Sequence, residues 1–99
     1  MFVAHSRFVV ANGMEDEVRK AFRERPHLVD SVSGFIRMEV LSPADRPQEF
    51  WLMTYWNDEG SWSDWYHGHR YQDSHQGIPK GLKLIPEETE IRHFHLITE

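Results

Sequence analysis

The sequence predicts an α+β fold in which helices cover one face of an antiparallel sheet. Four segments alternate in the period-two manner of strands, and two carry helical spacing. Their order along the chain is strand, helix, strand, strand, helix, strand, which is the split βαβ or ferredoxin-like arrangement. With 99 residues and 39% hydrophobic content, we expect a single domain spanning residues 1–99.

The first predicted strand and helix occupy residues 2–10 and 14–25. The strand has one face made of Phe2, Ala4, Ser6, Phe8 and Val10, and an opposite face made of Val3, His5, Arg7 and Val9. Asn12-Gly13 indicates a turn. The helix has acidic residues in its first turn and basic residues later, which suits the helix dipole, and Pro26 ends it. Its predicted apolar stripe is Val18, Ala21 and Phe22.

The next two strands form a predicted hairpin. Residues 34–41 alternate between the face of Phe35, Arg37, Glu39 and Leu41 and the face of Ile36, Met38 and Val40. Residues 42–48 contain two prolines and predict a loop, and residues 49–56 are rich in aromatic residues typical of strands.

The second half of the chain predicts short helices and a final strand. Asn57-Asp58 is suited to cap a helix over residues 59–66, and Gly68 breaks it. A further short helix is predicted over residues 69–76, stopped by Gly77 and Pro79. Residues 77–88 predict a loop, and residues 89–98 a last strand.

One sheet face in this arrangement has no helix to cover it. Apolar groups for such a face are available from Val3, Val9, Trp51, Met53 and Tyr55. An apolar surface of that size is normally buried. We therefore expect a homodimer in which two sheets pack face to face.

Charge and composition argue against several functional classes. The net charge is −5 and no run of Lys or Arg exceeds two residues, so neither nucleic acid nor an anionic membrane surface is an expected partner. No cysteine is present, which excludes disulfides and thiolate chemistry. The N-terminus lacks the pattern of a signal peptide, and we expect a cytoplasmic protein.

Trp65 and His75 are the main candidates for a site. They lie ten residues apart on either side of Gly68, so an indole and an imidazole can converge on one planar ligand. Neutral imidazole is the commonest side-chain metal ligand. The structural alternatives are core packing for Trp65 and a favourable position near a helix C-terminus for His75. The other tryptophans, Trp51, Trp56 and Trp62, are predicted core or dimer contacts.

The run Tyr55-Trp56-Asn57-Asp58-Glu59-Gly60-Ser61-Trp62-Ser63-Asp64-Trp65, followed by His75, resembles the antibiotic biosynthesis monooxygenase superfamily of dimeric αβ barrels. Within it the likeness is to haem-degrading monooxygenases of the staphylococcal Isd type. The resemblance implies that His75 ligates haem iron from the proximal side and that Trp65 contacts the distal face, where its bulk pushes the porphyrin out of plane. The family's first-strand Asn falls on Ser6, where this sequence departs from the pattern.

The resemblance implies a monooxygenase that opens the porphyrin ring and releases iron, with haem as both substrate and oxygen-activating cofactor. The chain has no flavin or nicotinamide motif, so an external electron donor or reductase is the expected partner. Two alternatives stay open: a cofactor-independent monooxygenase of a polyphenolic or quinol substrate, and a haem-binding protein without turnover. A non-haem metal site or a hydrolase is disfavoured, because neither HExxH nor GxSxG occurs.

Overall fold

The strands and helices of the computed structural model follow the predicted order within the residues that it describes, 1–25, 27–68 and 78–99. The elements are β1 (Phe2–Val9), α1 (Glu15–Arg23), β2 (Phe35–Leu41), β3 (Glu49–Trp56), α2 (Glu59–Tyr66) and β4 (Glu90–His95). Short 3-10 turns occupy Leu28–Ser31 and Pro86–Glu88. The helix predicted over residues 69–76 lies outside the described residues.

The strands form one four-stranded antiparallel sheet in the order β2-β3-β1-β4. Strand β1 is central and pairs on both sides, so that Ala4 faces Thr54 on β3 and His93 on β4. The hairpin predicted between β2 and β3 is present. This topology confirms the predicted ferredoxin-like α+β fold.

Strand β2 departs from the strict alternation that its sequence predicts. The register with β3 shifts between Phe35 and Arg37, so Ile36 is an extra residue in the strand. As a result Phe35 and Met38, which alternation places on opposite faces, both pack against the buried cluster. Phe35 meets Trp56 edge-on, with ring centroids 5.3 Å apart. A bulge of this kind re-aims one side chain, and here it lets a large ring cover a second one.

The core lies between the helices and one face of the sheet. One buried cluster contains Phe2, Ala4, Val29, Trp56 and Trp65, and a second contains Val10, Val18 and Phe50. The strand residues of both clusters belong to one alternating set, as the period of two requires. Trp56 is fully buried, which confirms its predicted place in the core.

We call the opposite side of the sheet the open face, because both buried clusters and both described helices lie on the other side. Strand pairing assigns it Val3, His5, Arg7, Val9, Arg37, Glu39, Leu41, Glu49, Trp51, Met53, Tyr55, Glu90, Arg92 and Phe94. Several of its large apolar side chains are open to solvent: Trp51 is 38%, Phe94 37% and Leu41 50% exposed. The five apolar residues predicted for an uncovered face lie together on this side of the sheet, where Val3 and Val9 are buried and Trp51 is exposed.

An ionic cluster fastens one end of this face. Arg7 on β1 pairs with Glu49 on β3 at 3.2 Å and with Glu88 at 3.3 Å. Arg46 contacts the same two carboxylates, at 3.2 and 2.7 Å. The Arg7 hydrogen bond lowers the pKa of Glu49, and the Arg46 hydrogen bond lowers the pKa of Glu88. The loops before β3 and β4 are thereby held to the central strand.

Helix α2 is positioned by its N-terminal residues. Asp58 accepts a hydrogen bond from the Ser61 backbone N–H at 2.8 Å, which confirms the predicted cap. Asn57 donates its backbone N–H to the Gly34 carbonyl at 2.8 Å, tying the helix start to the segment before β2. None of the described helices is long and apolar enough to cross a membrane.

Gly34 is the position where this arrangement tolerates no side chain. Its φ is +86°, and an added Cβ would lie 2.5 Å from the Ser61 Cβ. We expect Gly34→Ala to lower the free energy of unfolding by more than about 2 kcal/mol, because backbone strain and a steric clash add together. Chemical denaturation measures this change.

Gly13→Ala is the matched control, because Gly13 also has a positive φ, +75°, but has open space around it. Gly13→Ala should lower the free energy of unfolding by only about 1 kcal/mol, because it adds backbone strain without a steric clash. Adding Ser61→Gly to Gly34→Ala should recover the part of the lost stability that comes from the steric clash. Equal losses for the two alanine variants would show that contact with α2 is unimportant.

Candidate active site

A cavity of about 340 Å³ lies between the sheet and the helical side of the molecule. Its walls come from β1 and β3, from both helices, and from the segments around residues 27–29 and 78–84. Most of the lining side chains are apolar, as in small-molecule sites, whose volumes start at about 300 Å³. The cavity therefore has the size and chemistry of a site for a largely apolar ligand.

Ser6 and Trp65, two of the residues predicted for a site, both line this cavity. Trp65 lies on α2 and is 9% exposed, packed with the cluster of Phe2, Ala4 and Trp56. Ser6 lies on the facing strand, paired with Leu52 and Ile91. No hydrogen bond among the described residues involves the Ser6 hydroxyl. His75 lies outside the described residues.

Helix α2 brings a second tryptophan to the same wall. Trp62 and Tyr66 are one helical turn apart, line the cavity and stack with centroids 5.1 Å apart. Trp62 also meets His93 at 4.4 Å and Phe2 at 5.8 Å. The sequence predicted a core or dimer contact for Trp62. The spacing of Trp62 and Trp65 already placed both side chains on one face of the helix. That Trp62 lines the cavity is seen only in the structure.

Thr54 is a polar wall residue that the sequence-based prediction missed. It lies on β3, on the cavity side, and its Oγ1 accepts a hydrogen bond from the Trp56 Nε1–H at 2.9 Å. The fully buried indole is therefore satisfied. The alternation of Leu52, Thr54 and Trp56 on one strand face was the available signal. Thr54 is engaged, which leaves Ser6 as the strand hydroxyl without a partner among the described residues.

Two cationic or titratable side chains stand where the cavity meets solvent, Arg25 and His27. Both contact Asp30: the Arg25 guanidinium at 3.0 Å and the His27 Nδ1 at 3.1 Å. Partial burial opposes ionisation of Asp30, but these hydrogen bonds lower its pKa overall. Asp30 engages two of the five N–H donors of Arg25, so the rim keeps donors for an anionic group.

The geometry thus joins an apolar cavity, aromatic walls, a hydroxyl without a hydrogen bond to the described residues, and an arginine with remaining donors. It suits a largely apolar ligand with an anionic group near Arg25. Among the described wall residues, nothing resembles a nucleophile paired with a base, as acyl or glycosyl transfer would need.

Comparison with known proteins gives this geometry a context. Residues 1–77 match the family described as antibiotic biosynthesis monooxygenase. A curated relative, the heme oxygenase (mycobilin-producing) of Mycobacterium tuberculosis, is 27% identical over 59 residues. That match covers 60% of this chain and 56% of the relative, so the chain matches little more than half of the relative's length.

Solved structures reproduce the fold along the whole chain. The heme degrader MhuD from Mycobacterium tuberculosis, with two hemes bound in its active site, superposes with a TM-score of 0.80 at 20% identity, covering 100% of this chain and 98% of that one. SnoaB, a cofactor-independent oxygenase from Streptomyces nogalater, gives 0.77 at 16% identity, with 99% and 94% coverage. At such identities the likeness establishes the shared fold.

The Trp56–Thr54 hydrogen bond can be tested directly. We expect Thr54→Val to lower the free energy of unfolding by about 1–3 kcal/mol, because it leaves a buried indole N–H without an acceptor. Thr54→Ser keeps the acceptor and should lose less. Thermal and chemical denaturation of both variants measure the difference. A loss in Thr54→Ser that equals or exceeds the loss in Thr54→Val would mean that the hydroxyl is not the main contribution of this residue to stability.

Proposed function

The chain belongs to the antibiotic biosynthesis monooxygenase family, as its sequence resemblance predicted, and on that premise we propose that it is a haem-binding monooxygenase that opens the porphyrin ring and releases iron. The observation that carries the proposal is the apolar cavity that both Trp65 and Ser6 line, with Arg25 in its wall. Its matched relative in Mycobacterium tuberculosis is named a heme oxygenase, which supports the same function.

The residues present fit a haem. Its macrocycle is flat and apolar, and the cavity walls are aromatic and aliphatic. Its two propionates are carboxylates, which the free donors of Arg25 can bind in a bidentate manner. Of the described strand residues in the wall, Ser6 offers the hydroxyl that is left for a polar group inside the slot.

In this proposal each residue has a separate task. His75 would hold the haem iron through its imidazole, and Trp65 would lie against the macrocycle and keep water away from it. Ser6 would offer its hydroxyl to bound oxygen, through a water because its side chain is short. Bound haem supplies the oxygen-activating iron and is itself the substrate. Dioxygen is the oxidant, and an external reductant delivers the electrons.

A second candidate is cofactor-independent oxygenation of a polyphenolic or quinol substrate. The same apolar cavity suits such a ring, and SnoaB, a cofactor-independent oxygenase, shares the fold. A third is haem binding without turnover, which the replacement of the family Asn by Ser6 favours. One titration separates these three functions.

Titration with hemin, followed by ascorbate in air, tests the function. We expect a Soret band that decays after ascorbate is added. A stable band would support binding without turnover, and no band would support the quinol substrate.

His75→Ala should weaken hemin binding at least about tenfold, because an axial ligand is lost. His67→Ala is the matched control, since His67 is an exposed histidine at the C-terminal end of α2. An unchanged band in His75→Ala would remove His75 as the ligand.

Substitution of Ser6 tests the departure from the family pattern. Ser6→Asn should raise the rate of hemin decay and Ser6→Ala should lower it, because a preorganised donor in such a site is commonly worth about 2.7–4 kcal/mol. Single-turnover absorbance measures the rates, and Ser33→Ala, at an exposed serine, serves as control. Unchanged rates in both Ser6 variants would show that the distal donor lies elsewhere.

We propose that the protein is a homodimer that closes the open faces of two sheets on each other. The exposed Trp51, Phe94 and Leu41 provide the apolar contact. A two-fold axis packs the open face of one copy against the same face of the other. Positive and negative side chains on this face must therefore balance. Its strands carry Arg7, Arg37 and Arg92 against Glu39, Glu49 and Glu90, three of each sign, although the chain as a whole has a net charge of −5.

Sedimentation should give twice the 11.8 kDa chain mass at micromolar concentration. Phe94→Glu should weaken the dimer by more than about tenfold, because a carboxylate would replace one of the exposed apolar rings that the contact buries. Ile97→Glu is the control, since Ile97 follows β4 and is 90% exposed. A stable monomer of the unaltered chain would contradict the proposed assembly.

A further inference from the structure

His5 is a buried polar residue that the cavity chemistry does not use. It borders the cavity, but strand pairing places its side chain on the open face, and it is only 6% exposed. Its ring lies 4.9 Å from the Trp51 ring and 6.1 Å from the Phe94 ring. Its Nε2 is buried and has no hydrogen-bond partner among the described residues. Buried polar atoms are seldom left unpaired, so this imidazole calls for an explanation.

The groups around His5 disfavour its charged form. Arg92 is its cross-strand partner on β4 and Arg7 lies two residues along β1, while Met53 faces it from β3. Glu90 is the nearby anion, and Glu39 lies opposite Met53 on the next strand. Burial lowers the pKa of His5, and the two arginines add to this against the effect of Glu90.

The solvent side of His5 is formed by the same exposed rings that a second copy would cover. Trp51 and Phe94 flank the imidazole, and both are more than one third exposed. Closing a second sheet over them removes the water nearest to His5. Water is what makes a charged imidazole tolerable, so association and protonation of His5 compete.

We propose that His5 makes the contact between two copies of this chain acid-sensitive, so that the dimer holds while the imidazole is neutral and separates when it is protonated. This inference rests on the proposed homodimer. Neutral His5 imposes no charge on the closed contact, whereas two protonated rings, one from each copy, would be buried beside two arginines each. His is the side chain suited to such a response between pH 5 and 8.

The direction of the pH dependence follows from linkage. The pKa of His5 is expected to be lower in the dimer than in the monomer. At high pH His5 is neutral in both states, so the dimer dissociation constant does not depend on pH there. As the pH falls through the pKa of His5 in the monomer, the monomer takes up protons first and the dimer dissociation constant rises. The rise ends once the pH is below the pKa of His5 in the dimer as well. A difference of one pKa unit between monomer and dimer changes the dissociation constant tenfold for each His5. Because the dimer contains two His5 residues, its dissociation constant would rise about a hundredfold.

Sedimentation velocity from pH 8.0 to pH 5.0 tests the inference on the full chain. We expect the dimer dissociation constant to rise at least about tenfold over this range. His5→Phe keeps an aromatic ring without a titratable group and should remove the dependence while retaining the dimer. His5→Gln serves the same purpose if His5→Phe does not fold. His67→Gln, at an exposed histidine of α2, is the matched control and should keep the dependence.

Direct titration of His5 by NMR gives a second measurement on the unaltered protein. Its pKa should be lower at high protein concentration, where the dimer dominates, than in dilute solution. A monomer at every pH would overturn the homodimer and this inference together. A dimer whose dissociation constant does not change, or falls, in acid would overturn the role of His5 alone. Full pH dependence in the His5→Gln variant would also overturn that role.

Discussion

The alternation of side chains along β1 is the constraint on which the rest of the structure depends. Because β1 is the central strand, its two faces serve two different purposes at once. Phe2, Ala4 and Ser6 face the helices and line or support the cavity, while Val3, His5 and Arg7 belong to the open face. A slip of one residue in this strand would exchange the two sets and abolish both surfaces.

Helix α2 is the second element that shapes the site, and its position follows from local contacts at its start. The Asp58 cap begins the helix, and Gly34 allows it to approach the segment before β2 closely. From there a spacing of three residues presents Trp62 and Trp65 to the same cavity. The positions of the two indoles therefore depend on backbone contacts at the start of the helix, and a wall supported in this way is well ordered.

The chemistry of the cavity is sparse, and that bears on its function. The described wall residues offer apolar surface, the Ser6 hydroxyl and the Arg25 guanidinium to a ligand, but they provide no activated nucleophile. A site of this kind suits a reaction in which the ligand carries the demanding step and the protein supplies shape, exclusion of water and a few directed contacts. The ionic cluster of Arg7, Arg46, Glu49 and Glu88 lies on the open face of the sheet and stabilises the fold without entering the cavity.

The sequence by itself determined the order of elements, the two faces of β1, the Asp58 cap and the presence of an uncovered apolar face. These follow from period, propensity and capping, which act over a few neighbouring residues. It also singled out Ser6 and Trp65, through the family resemblance. Only the tertiary structure decided that these two share one cavity, that Trp62 lines it, that Thr54 satisfies Trp56, and that Arg25 and His27 stand at its rim. The bulge at Ile36 and the unpaired Nε2 of His5 were likewise decided there. The physical reason is that each depends on packing between residues distant in sequence, which no local pattern encodes.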